Sequence, residues 1–281
     1  ITNCDIEYPV CTGMGAISYL DSINNVGNSE NEEFTMEQVT IKSANGNDRI
    51  CLNLILFNVS ATNINNIIFK ECTDDDSLLG LELIGGDSNF DFNNFHFLNN
   101  ICHLSYGGGT GIWIKTQNKN NVRFYFNECI FVNNKARYDN DPNYQGYGGA
   151  LQLGDIVSFS EPYQYTITNC IFENNYADRY GGAISIGVEN DFTVEGCQFI
   201  NNQANDCGGA IYIDPRINDK ANRVVSIRDC TFNNNSATNA GASIYICSNN
   251  VKYNVNNPVI SISNNCQFRM STRSNLSLIH V

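Results

Sequence analysis

Histidine, tryptophan and proline are scarce in this chain: three His, one Trp and five Pro in 281 residues. Three scattered histidines and the lack of any Cys-x-x-Cys argue against a zinc site and against a bound cofactor. No phosphate-binding glycine loop with Lys-Ser/Thr occurs, nor Gly-x-Ser-x-Gly, nor His-Glu-x-x-His, so nucleotide, acyl-transfer and zincin chemistries have no motif to stand on. Positive charge is also short. Sixteen Lys and Arg face 29 Asp and Glu, for a net charge of −13. That balance excludes nucleic acid and anionic membrane as natural partners. No run of 18 apolar residues suggests direct membrane insertion.

Asparagine, by contrast, makes up about a sixth of the residues. It forms helices poorly, tolerates left-handed turns and can stack its amides into ladders. Short alternating apolar runs with few prolines then point to an all-β chain.

Residues 166–213 say almost the same thing twice. Asn169-Cys170-Ile171-Phe172-Glu173-Asn174-Asn175 returns as Gly196-Cys197-Gln198-Phe199-Ile200-Asn201-Asn202, and Gly181-Gly182-Ala183-Ile184 returns as Gly208-Gly209-Ala210-Ile211. A unit that repeats its apolar, turn and glycine positions is one coil of a solenoid. In this register nine coils appear, with inward pairs Cys4/Ile6, Val39/Ile41, Ile67/Phe69, Phe95/Phe97, Cys129/Phe131, Cys170/Phe172, Cys197/Phe199, Cys230/Phe232 and Cys266/Phe268. Another apolar residue precedes most pairs by three positions, and Ile262 stands four before the last.

A second strand follows the glycines, with inward pairs Leu81/Leu83, Ile112/Ile114, Leu151/Leu153, Ile184/Ile186, Ile211/Ile213 and Ile244/Ile246. Asn-Asn-x-Ala turns join the two, as at Asn174–Ala177. The expected architecture is a right-handed parallel β-helix of about nine coils, one domain over residues 1–281. Because Ile1-Thr2-Asn3-Cys4 already matches mid-coil, we expect a segment of a longer extracellular protein. Asp21–Glu33 reads as a loop or lateral cap, and Lys135–Tyr147 and Gly154–Tyr165 as insertions expanding two corners of one coil.

Twelve cysteines suit an oxidising compartment. Six occupy the inward column and are expected to pack as small apolar groups. Cys72 and Cys102 occupy nearly the same turn of adjacent coils and are the disulfide candidate. Asn58, Asn234 and Asn275 head Asn-x-Ser sequons.

Catalysis would need paired carboxylates or a base beside charge-neutralising groups. Asp74-Asp75-Asp76 is a solvated turn on this reading. Asp139 and Asp141, with Arg137 and Tyr138, offer the better cleft. Binding has more to draw on. Outward positions between the second-strand aliphatics include Trp113, Tyr212 and Tyr245, and Tyr138, Tyr144, Tyr147, Tyr163 and Tyr165 crowd the two insertions. Aromatic rings with a polar tip suit contact with a glycan or a protein.

The paired signals Phe-x-x-Asn (Phe97–Asn100, Phe131–Asn134, Phe172–Asn175, Phe199–Asn202, Phe232–Asn235) and Gly-Gly-Ala-Ile (Gly181–Ile184, Gly208–Ile211) resemble the repeat region of polymorphic outer-membrane proteins of the chlamydial type and their protist relatives. The resemblance implies a β-helix displayed at the cell surface, used in adhesion and without catalytic residues. Partners would then be a surface glycan or protein, or neighbouring copies in an extracellular assembly. A polysaccharide lyase or hydrolase of the pectin-lyase-like type, and a purely structural rod, are the alternatives.

Overall fold

The computed structural model describes residues 2–7, 17–20, 32–42, 52–57, 59–74, 79–84, 88–103, 112–117, 122–137, 146–153, 163–187, 191–214, 224–247, 259–263, 265–269 and 279–280. Every strand pairing among them is parallel and joins one coil to the next. The fold is all-β, a parallel β-helix solenoid of nine rungs.

Each coil turns at left-handed residues, and these bends line up down the stack. The first column is Gln38, Asn66, Asn94, Glu128, Asn169, Gly196, Asp229 and Asn265. The second is Glu71, Asn99, Asn133, Asn174, Asn201 and Asn234, all with φ between 53° and 58°. The third is Gly148, Gly181, Gly208 and Gly241. Asn holds such a bend at little cost because its short amide bonds locally. Glycine is needed at the third corner for a steric reason as well. A Cβ on Gly181 would lie 2.2 Å from the Ile184 carbonyl oxygen, and one on Gly182 2.1 Å from that of Gly209 in the next coil.

Between the bends, side chains alternate. In Val122–Asn127 and Tyr163–Thr168 every second residue is buried, as period two demands. The result is a set of columns. Phe69, Phe97, Phe131, Phe172, Phe199, Phe232 and Phe268 stack with centroids 4.8–5.2 Å apart. That spacing is set by the rung repeat. The inward pairs read from the sequence stand opposite one another from Cys4↔Val39 to Phe232↔Phe268. Ile262 pairs with Ile227, so the extra residue of the last coil is absorbed before its bend.

The second asparagine of each turn points inward and forms a ladder. Asn100, Asn134, Asn175, Asn202 and Asn235 are buried. From Asn100 to Asn202 each Nδ2 donates to the next Oδ1 at 3.0 Å, and all five donate to a phenylalanine carbonyl of the preceding coil. Each Oδ1 along the ladder also accepts a backbone N–H. A buried amide with its donors and acceptor engaged in this way escapes the desolvation penalty. The first asparagine of each turn bends the chain and the second bonds coil to coil inside the wall; at the surface, Asn133 Nδ2 also donates to Asn99 Oδ1 at 2.9 Å.

Three readings of the sequence are corrected. Ile112 and Ile114 stand opposite Leu79 and Leu81, so the expected pair Leu81/Leu83 lies two residues too far along; a shift of two preserves the alternation, which therefore cannot separate the two registers. Glu32 and Glu33 begin the strand Glu32–Lys42 instead of belonging to a loop. Lys135–Arg137 and Tyr163–Thr168 are regular strands, and Gly146 and Tyr147 are described with the third corner, so the rest of the two expected insertions, at 138–145 and 154–162, is outside the described residues.

The cysteines of the inward column are buried from Cys129 to Cys230. Their thiols donate to carbonyls of the preceding coil, as Cys129 does to Phe92 at 3.4 Å. Burial pushes the Cys170 thiol well up, reinforced by its sulfur neighbours. Cys72 and Cys102 fall in different columns. The Cys72 backbone N–H bonds to the Asn100 amide oxygen at 2.9 Å, whereas Cys102 stands opposite Asp74 and packs with Ala136 apart from the main core. The two-residue offset turns them toward different surroundings, and the expected pairing between them is not provided by the register.

Candidate functional site

Just before the third bend, Tyr147, Tyr180, Cys207 and Ala240 are linked by parallel bridges. Five residues further along each coil, Gln152, Ser185, Tyr212 and Tyr245 also form one column. The two columns trade volume. Coils with a tyrosine in the first carry Gln152 or Ser185 in the second; coils with Cys207 or Ala240 in the first carry a tyrosine in the second. The rings therefore continue one another across the change of column. Tyr147 and Tyr180 have centroids 5.3 Å apart, Tyr180 and Tyr212 4.4 Å, and Tyr212 and Tyr245 5.6 Å. Four tyrosines from four successive coils make one stack outside the main core.

Charge gathers at one edge of the stack. The Arg179 guanidinium lies 4.9 Å from the Tyr180 ring centroid, with its Nε 3.8 Å from an Asp206 carboxylate oxygen. The other Asp206 oxygen accepts Asn239 Nδ2 at 2.7 Å and the Cys207 thiol at 3.2 Å. Burial and the Asp206 carboxylate push the Tyr180 hydroxyl up to about 12. Burial, followed by the Asp214 carboxylate, raises Tyr212 as well, and burial raises Tyr245. These three hydroxyls stay protonated at neutral pH and can donate as well as accept. The arrangement can offer rings, hydroxyls and one charged pair to a partner.

The sequence-derived candidates separate on this structure. Tyr147, Tyr212 and Tyr245 come together in the stack. Tyr147 and Tyr212 are 9% and 5% exposed, whereas Tyr180 and Tyr245 are half-buried. Tyr163 and Tyr165, expected on an exposed insertion, belong to the core: they are 4% and 1% exposed. Tyr165 stacks on Phe124 at 5.2 Å and Tyr163 meets it edge-on at 6.0 Å. Their spacing of two continues the alternation of the strand to Ile167, a signal present in the sequence and overridden by the insertion boundary. Tyr138, Asp139, Asp141 and Tyr144 lie outside the described residues, as do Asp75, Asp76, Asn58 and Asn275. Trp113 lies on the strand Ile112–Gln117 opposite Gly80. Asn234 is exposed at a left-handed bend.

Tyr180 was missed. Its signal is the recurrence of Tyr-Gly-Gly-Ala at residues 147–150 and 180–183. Among the described residues no group of three or more His, Cys, Asp or Glu is placed to hold a metal ion.

Residues 169–187, 196–214 and 229–247 match the Chlamydia polymorphic membrane protein repeat. Each match runs from the bend before the inward cysteine to the end of the post-glycine strand, and together they contain Tyr180, Tyr212 and Tyr245. No curated protein and no solved structure matches the chain. The repeat carries with it a location at the cell surface or outside the cell.

Proposed function

We propose that this chain is a non-catalytic, surface-displayed β-helix, a single domain over its length, that adheres to a glycan or protein on another surface through its stacked tyrosines. The observation that supports it is the tyrosine stack itself. Four rings from four coils are kept in contact although they change columns halfway, with Arg179 and Asp206 at their edge. Adhesive surfaces favour such aromatic area with polar tips, because a tyrosine loses little side-chain freedom on binding. The repeat supports the same reading, being that of a surface-protein family.

The test is binding of the purified, fluorescently labelled chain to cultured animal cells and to a glycan array. The double variant Tyr180→Ala/Tyr245→Ala is expected to bind at least about tenfold more weakly, a loss equivalent to about 1.4 kcal/mol, while keeping the cooperative melt of the parent. Undiminished binding by that variant would refute the role given to the stack.

A further inference from the structure

A second feature lies four residues earlier in the coil, on the outer side of the short strands that follow the asparagine turn. There a groove of about 550 Å³ is lined by Lys135, Arg137, Tyr176, Asp178, Gln203 and the exposed bend residues Asn174 and Asn201, with Asn175 beneath. The register explains its make-up. Lys135, Tyr176 and Gln203 stand opposite one another on three successive rungs. Arg137 and Asp178 follow at matching positions, with the Asp178 N–H bonded to the Ala136 carbonyl. Inward, the same strands show only Ala136, Ala177 and Ala204, all fully buried. Everything larger on these strands must therefore face out.

We propose that this groove is a binding site for a carboxylated saccharide, such as a uronate unit of an acidic glycan. Three properties carry the inference. The groove holds two cations against one carboxylate in a chain of net charge −13, so it is a local exception that an anionic ligand would seek. Arg137 is exposed, and its planar fork matches a carboxylate with two parallel hydrogen bonds, a geometry a lysine cannot reproduce.

The remaining lining is that of a sugar site. Tyr176 supplies a ring wall for the C–H face of a pyranose, and Asn174, Asn201 and Gln203 supply amides that both donate and accept toward its hydroxyls. Tyr176 is held in place by its hydroxyl, which bonds to Asp178 and to Asn205; burial and the Asp178 carboxylate push that hydroxyl up to about 12. It thus remains a neutral donor beside the cations. Asp178 lines the groove as a carboxylate and disfavours a second anionic group close by. A ligand with one carboxylate per ring fits this pattern better than a densely sulfated one.

The site is independent of the tyrosine stack, and its test is separate. Calorimetric titration of the full chain would use a uronate trisaccharide, its methyl ester of the same shape, and a sulfated disaccharide. The acid is expected to bind with a Kd on the order of 1 mM or tighter, at least about tenfold more tightly than the ester, with affinity falling as salt rises. Arg137→Gln should erase the preference for the acid. Tyr176→Ala should weaken acid and ester alike, and Tyr180→Ala/Tyr245→Ala should leave the titration unchanged. Equal binding of acid and ester, tighter binding of the sulfated sugar, no heat with any of the three, or indifference to Arg137→Gln would overturn the proposal. Both groove substitutions are on outward side chains, and an unchanged melt of each variant keeps a negative result interpretable.

Discussion

Asn175 and Asn202 are joined through their side chains: Nδ2 of the first donates to Oδ1 of the second at 3.0 Å, inside the wall of the solenoid. The same Nδ2 reaches the Phe131 carbonyl at 2.9 Å, and the Asn175 oxygen receives both the backbone and side-chain N–H of Asn134. One residue therefore ties three coils together. Its neighbour Asn174 is exposed, stands outside the ladder and makes the bend, at φ 54°.

Replacing the buried member, Asn175→Ala, should lower stability by roughly 2–4 kcal/mol, because several buried groups lose a partner at once. Asn174→Gly should change it by less than about 1 kcal/mol, since glycine accepts the left-handed bend. Asn174→Val should cost about 1–2 kcal/mol through that same bend. Chemical denaturation of the three variants checks the order. Equal losses for Asn175→Ala and Asn174→Gly would contradict the division of labour.

At the third corner, Gly209→Ala places a methyl 2.1 Å from the Ala242 carbonyl oxygen and 2.4 Å from that of Ser236. Backbone cannot yield there without separating two coils. We expect a loss of more than about 3 kcal/mol or failure to fold, read by thermal melting.

Ile211→Ala deletes a fully buried side chain that stands between Ile184 and Ile244. The expected cost is roughly 2–5 kcal/mol. Tyr165→Ala should cost a similar amount, since the ring is core; a melt unchanged by it would return Tyr165 to the surface where the sequence reading had it.

Alkaline titration probes the outer tyrosines. Tyr176 and Tyr180 are both raised to about 12 from an ordinary value of 10.0, chiefly by burial. Between those values the unfolded chain has released protons that the native chain still holds, so stability is undiminished below pH 10 and falls as pH rises toward 12. Phenolate absorbance should show these hydroxyls titrating late in the native protein. Tyr180→Phe should remove part of the late phase.

The coil register was legible because its signals are redundant. Cys170-x-Phe172, Asn174-Asn175 and Gly181-Gly182 each mark a different wall or corner of one coil, and all recur together in the next. Where only alternation remained, as at Leu79–Leu83, a shift of two left the period unchanged and could not be detected. Tyr163 and Tyr165 were misread because an insertion precedes them and aromatic residues look alike on loops and in strands. The stack of tyrosines was half visible. Tyr212 and Tyr245 share a register position, whereas Tyr180 joins them from another column, a relation that depends on the small Cys207 and Ser185 beside it. The ladder of asparagines was foreseen as a property of the turns, but which of each pair is buried follows from the bend and needed the structure.

The most direct test of the functional account is binding of the labelled chain to cultured animal cells, combined with product analysis after incubation with acidic polysaccharides. The account predicts saturable binding that Tyr180→Ala/Tyr245→Ala weakens at least about tenfold, an unchanged melt, and polysaccharide chains of unaltered length. Binding that ignores the tyrosine stack, or the appearance of shortened saccharide products, would contradict it.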